Sequence, residues 1–191
     1  MNIIHLQKEV MVSDPTYSEP TWCQIKLKTV KPGEYYSFCK THDTGFAGVR
    51  NSMLLVVHKD HINDVLQWKK HQGEVGVDSG QAGIFSYETY RKDGLEMEVP
   101  TIGYDGRNFD WLDLPGEVMP GDDWYKKMCK FTLAELSYGS YDNGIVCRSG
   151  FGDGGYELFT ASKSRKIIAM AIDFGVEDGP YIEFDWYKEL V

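Results

Sequence analysis

A chain of 191 residues with 42% hydrophobic and 26% charged residues is long and apolar enough to bury one sizeable core, and it reads as a single domain over residues 1–191. Its formal net charge of −9 argues against the surplus of Lys and Arg that a non-specific nucleic-acid binder needs, so no nucleic-acid partner is expected. A small anionic ligand is compatible with that charge, because one local arginine pocket can oppose the overall field.

The first residues, MNIIHLQKEVMVSDP, show no basic segment followed by an apolar core. No run reaches the ~18–20 apolar residues of a membrane span. A cytoplasmic protein with no membrane partner is therefore expected. Strand signals follow one another along the chain. TWCQIKLKTV (Thr21 to Val30) alternates around Trp22, Ile25 and Leu27 before a Lys31-Pro32-Gly33 turn. GEYYSFCKTH, from Gly33, is rich in residues that suit a pleated half-buried surface. SMLLVVH (Ser52 to His58) is continuously apolar and reads as a buried central strand. EVGVDSG, GIFSYETYR, AELSYGSY, GIVCRSG, GYELFTAS and KIIAMAIDFG supply further strands.

Two short helices interrupt this series. Asp60 is placed to cap HINDVLQWKKH, with Ile62, Val65 and Leu66 at helical spacing. Asp122 or Asp123 is placed to cap WYKKMCKFTL, with Trp124, Met128 and Phe131 or Leu133 on one face. The expected class is mainly β (α+β): an antiparallel β-sandwich or open barrel with two short helices. Residues 100–120 read as a long ordered loop or inserted hairpin. Phe184, Asp185, Trp186 and Tyr187 read as an aromatic cover for a sheet.

Chemistry is sparse. The four cysteines (Cys23, Cys39, Cys129, Cys147) form no C-x-x-C pair and are expected to be reduced core thiols. The five histidines lack H-E-x-x-H or any zinc spacing, and Asp105 to Asp110 lacks the EF-hand order, so no metal or other cofactor is expected. G-x-S-x-G is absent. Two glycine-bearing motifs remain. In VDSGQAG, Asp78 and Ser79 sit at a strand end before Gly80, where a carboxylate and a hydroxyl can act as base or ligand but equally serve a turn. In CRSGFGDGGYELFT, Gly150, Gly152, Gly154 and Gly155 surround Asp153. Neither G-x-G-x-x-G followed by a helix nor a Gly-Lys-Ser/Thr is present, so a dinucleotide or P-loop cradle is excluded. A tight hairpin with a bulge accounts for these glycines, leaving Asp153 as the residue a turn does not require. Arg148 beside this loop, and Arg50 in FAGVRNS, could each clamp a carboxylate or phosphate, though surface strand residues without a role account for them more simply. The two motifs echo one another, as two hairpins of one sheet would.

VGVDSGQAGIF (Val75 to Phe85) and SGFGDGGYELF (Ser149 to Phe159), followed by IAMAIDF, resemble a bacterial and phage domain family of unknown function; GFAGVRNSMLLVVH matches more loosely. The resemblance implies a β-rich fold and a bacterial or phage source, and no activity. This chain has Gly155 where that pattern commonly has Ser.

Two functions of different class follow. One is a binding or interaction protein, such as an immunity or phage counter-defence factor, taking a small ligand or a partner protein. Its site would be lined by Asp78, Ser79, Asp153 and Tyr156, with Arg148 at the rim. The alternative is a carboxylate-dependent hydrolase using Asp78 and Asp153 as a pair, with or without a divalent cation. No catalytic residue is assigned in the first reading. Exposed edge strands would also offer a homodimer contact.

Overall fold

The computed structural model describes residues 1–113, 121–177 and 184–191. The alternating segments form strands β1 (Asn2–Leu6), β2 (Val10–Ser13), β3 (Ile25–Leu27), β4 (Gly33–Asp43), β5 (Val49–His58), β6 (Trp68–Val77) and β7 (Gln81–Ser86). After helix α1 (Asp122–Leu133) come β8 (Tyr138–Tyr141), β9 (Gly144–Arg148), β10 (Gly154–Lys163) and β11 (Lys166–Asp173). They build a six-stranded sheet, β1-β4-β5-β11-β10-β6, and a five-stranded sheet, β3-β2-β7-β9-β8. Neighbouring strands within each sheet are antiparallel. The fold is β-rich, and of the two expected architectures it is the sandwich.

Period-two alternation explains the layering. Ile4, Tyr35, Leu54, Val56, Leu158 and Met170 from the larger sheet meet Val10, Val12, Ile84, Ile145 and Cys147 from the smaller. Burying each large apolar side chain of this kind contributes roughly 1.5–3 kcal/mol. The outer faces are covered too. Met11, Phe85 and Val146 pack under Trp124, Met128 and Phe131 of α1. Met53, Leu55 and Val57 pack with Phe38 and Tyr187, joined by Phe184 and Trp186 of the C-terminal segment. The expected aromatic cover is therefore real: Phe184 stacks on Trp68 at 4.6 Å, and Tyr187 meets Phe38 at 5.4 Å. With both faces covered, β5 is buried from Asn51 to His58, the central strand read from its apolar run.

Several expectations need correction. No helix covers residues 61–71: Lys59–His61 make one 3-10 turn, and β6 begins at Trp68. Pairing of Trp68, Lys69 and Lys70 with Ala161, Thr160 and Phe159 outweighs the helical spacing, and Val65, counted on the apolar face, is 87% exposed. The strand expected over 21–30 shrinks to Ile25–Leu27. Helix α1 is capped by neither of its own first aspartates. The distant Asp93 accepts from the N–H groups of Gly121 (2.7 Å) and Trp124 (3.1 Å), and these bonds lower its carboxyl pKa. In the 100–120 segment, Ile102 and Asn108 form an antiparallel bridge and Asp110–Asp113 a 3-10 turn; 114–120 lie outside the described residues.

The two glycine motifs are not hairpins. Asp78–Gly80 leads from β6 in the larger sheet to β7 in the smaller, and Ser149–Asp153 leads from β9 back to β10. Since β6 pairs with β10 and β7 with β9, the two crossing loops lie side by side at one end of the sandwich. Their resemblance reflects a shared task, changing sheets at a sharp turn.

Candidate functional site

Backbone and side-chain bonds lock the two crossing loops together. Ser149 N–H donates to Gly80 O at 3.0 Å, and Gly80 N–H donates to the Asp153 carboxylate at 3.1 Å. Within the longer loop, Ser149 Oγ and Tyr156 Oη both donate to Gly152 O, at 2.7 and 2.6 Å. Gly150 is required by close approach as well as by its φ of +28°, because a Cβ there would sit 2.9 Å from Phe174 Cβ.

The shorter loop is organised from below by Asp14, at the end of β2, whose side chain is wholly buried. Its Oδ2 accepts the N–H groups of Asp78 (2.9 Å) and Ser79 (2.7 Å). Its Oδ1 accepts the Ser79 hydroxyl (2.6 Å) and the Thr16 N–H (2.8 Å). Four donors satisfy a carboxylate that forms no ion pair among the described residues. The sequence signal for Asp14 was Ser-Asp-Pro-Thr, an Asx-turn composition, although its partners lie 64 and 65 residues away.

Two concavities flank this junction. One, of about 380 Å³, is lined by residues that include Arg50, Ser79, Gln81, Leu133, Arg148 and Phe151. The other, of about 450 Å³, runs along the β6 edge and includes Tyr17, Trp22, Glu74 and Asp78. The expected site residues therefore separate. Ser79 and Arg148 share the first cavity, Asp78 lines the second, and Asp153 and Tyr156 line neither. The Asp78 carboxylate accepts the Tyr17 hydroxyl at 2.5 Å. Burial, reinforced by that carboxylate, raises the Tyr17 pKa well above its usual value.

Arg148 has an unusual setting. Its Nε donates to Thr132 O at 2.7 Å, near the C-terminal end of α1, where the helix dipole favours a cation. The Tyr104 ring covers its guanidinium, 4.6 Å from centroid to Cζ. Its Nη2 is buried without a hydrogen-bond partner among the described residues, and so is Oε1 of Gln81, a residue only 7% exposed. Gln81 spends its amide nitrogen on Cys129 Sγ, 3.5 Å away.

Neither Cys129 nor Cys147 has a thiol poised for attack. Burial raises the pKa of Cys129 and, more strongly, of Cys147, and all four cysteines are free. Among the described residues no group of three or more His, Cys, Asp or Glu side chains is placed to hold a metal ion. Asp105 is engaged by the backbone and side chain of Arg107, and Asp110 by Asn108. No helix among the described residues is long and apolar enough to cross a membrane.

No family model, curated protein or solved structure matches this chain.

Proposed function

We propose that this protein is a non-enzymatic binding module for a small molecule, seated in the 380 Å³ cavity beside the crossing loops. The observation that carries this reading is the pair of buried polar atoms on residues of the cavity wall, Arg148 Nη2 and Gln81 Oε1, that have no partner among the described residues. Native interiors leave few such atoms unsatisfied, because each costs about 1–3 kcal/mol and more when charged. The cavity lies within the range of metabolite sites, and its loops are held by Asp14 and Asp153 before any ligand arrives, which lowers the ordering cost of binding.

The carboxylate-pair hydrolase has weaker support. Asp78 is engaged by Tyr17 in one groove and Asp153 by the Gly80 N–H, and neither cavity is lined by both.

A thermal-shift screen of nucleotides, sugars, amines and carboxylic acids, repeated on Leu133→Trp, tests the binding module. Leu133 lines the cavity, and a Trp there narrows it. Compounds that stabilise the parent chain and not the variant support the site. A complete lack of stabilising compounds, or equal responses in both proteins, removes it.

A further inference from the structure

The same cavity has a chemical character that narrows its ligand. Resting on the binding-module reading, we infer that its ligand is a small organic anion, held by a carboxylate or phosphate group between Arg148 and Arg50.

Two of the cavity's lining residues are arginines and none is acidic, in a chain with 29 Asp and Glu against 20 Lys and Arg. Among the described residues, neither arginine forms an ion pair with a carboxylate, whereas Arg91 and Arg107 do. Among the described residues, the Arg50 side chain has no hydrogen bond, and the Arg148 guanidinium uses only Nε, towards Thr132 O. A guanidinium is charged at every physiological pH, so Arg148 cannot relieve its part-buried charge by losing a proton. The C-terminal end of α1 and the Tyr104 ring offset part of that cost, and an anion in the cavity offsets the rest.

The nearest acidic neighbour in sequence, Asp153, is turned onto the Gly80 N–H. The planar fork of a guanidinium matches the paired oxygens of a carboxylate or phosphate. Beside it, Phe151 offers an exposed ring for the ligand's apolar part.

The test compares benzoate and phenyl phosphate with benzamide, a neutral probe of benzoate's shape, by calorimetry and thermal shift. Benzoate or phenyl phosphate is expected to bind the parent chain, more weakly as salt rises, and benzamide at least tenfold more weakly. Which of the two anions binds tighter identifies the head group. Arg148→Gln and Arg50→Gln should each weaken anion binding on the order of tenfold to a hundredfold. Arg148→Lys should recover only part, since an ammonium cannot pair in two places. The Arg50 side chain makes no hydrogen bond among the described residues, so its variant keeps the test sound if Arg148→Gln fails to fold.

Silence of both anions up to about 10 mM, in the range of affinities too weak to be specific, overturns the inference. So does benzamide binding as well as benzoate, or anion affinity unchanged in Arg50→Gln. If neutral compounds bind the parent chain and are lost in Leu133→Trp while the anions fail, the cavity remains a ligand site and only its anionic character is rejected.

Discussion

Asp14 grips Ser79 at two points, its Oδ2 accepting the Ser79 N–H at 2.7 Å and its Oδ1 the Ser79 hydroxyl at 2.6 Å. The same carboxylate holds the Asp78 N–H. The end of β2 thereby fixes the loop that carries the chain from one sheet to the other. Asp14→Asn places an amide nitrogen, itself a donor, among four donors. It should cost about 2–4 kcal/mol, because buried N–H groups lose their acceptor. Ser79→Ala leaves three donors on Asp14 and should cost about 1 kcal/mol. Asp153→Ala removes one exposed bond, to Gly80, and should cost less than about 1 kcal/mol. Urea unfolding of the three variants checks the order, and a loss at Asp153 equal to that at Asp14 would contradict it.

Gly76 and Gly155 face each other across β6 and β10 yet should differ sharply in tolerance. A Cβ at Gly76 would lie 2.4 Å from Cys23 Cβ, at the base of a side chain in a buried residue, and nothing there can swing aside. At Gly155 the nearest atom is Glu74 Oε2, 2.8 Å away, the free end of a long side chain. Gly76→Ala should cost about 1–3 kcal/mol as overpacking. Gly155→Ser should stay within about 0.5 kcal/mol. Thermal melts of the pair decide it. This also makes the glycine at 155, where the resembling pattern commonly has Ser, structurally permissive.

Strand existence was legible because burial on one or two faces writes itself locally as alternation or a continuous apolar run; β5 and β11 follow their segments closely. Strand partnership was not. A glycine turn between two strand-like runs reads the same whether the chain folds back within a sheet or crosses to the other. What separates the cases is pairing of β6 with β10 and of β7 with β9, contacts remote in sequence. The helix expected after Asp60 failed for a similar reason, since Trp68 to Lys70 gain ladder partners that no local window contains. At the site, Arg148 and Ser79 could be found from their place beside glycines. Ser-Asp-Pro-Thr marks Asp14 as a turn residue but not as the anchor of this loop, because that role is defined by donors on another strand connection.

His58 should make stability fall on the acid side of neutrality. Its Nδ1 accepts the Asp60 N–H at 3.1 Å while Nε2 faces Pro32 O at 3.4 Å, an arrangement that suits the neutral ring with its proton on Nε2. Burial lowers its pKa below the ordinary 6.5, and the Lys31 cation lowers it further, partly opposed by Pro32 O and Asp60. For a base with a depressed folded value, the unfolded chain binds the proton first. The stability tied to neutral His58 is thus fully present above pH 6.5 and is lost as pH falls from there towards the folded value. Urea midpoints measured from pH 7.5 to 5 should decline more steeply for the parent chain than for His58→Gln. Parallel curves would show that His58 titrates alike in both states.

Tyr187 separates packing from hydrogen bonding in one side chain. It is wholly buried and packs on Phe38 at 5.4 Å, in the cover over the larger sheet's outer face. Its hydroxyl is enclosed without a hydrogen-bond partner among the described residues, and burial raises its pKa to about 12. Removing an unsatisfied hydroxyl while keeping the ring returns the cost of desolvating it. Tyr187→Phe should therefore be neutral or stabilising, by up to about 1 kcal/mol. Tyr187→Ala deletes the ring, leaves a cavity against Phe38, and should cost about 3–5 kcal/mol. Equilibrium unfolding of both variants measures the two effects. A Tyr187→Phe loss above about 1 kcal/mol would mean that the hydroxyl makes a bond in solution worth a full buried hydrogen bond.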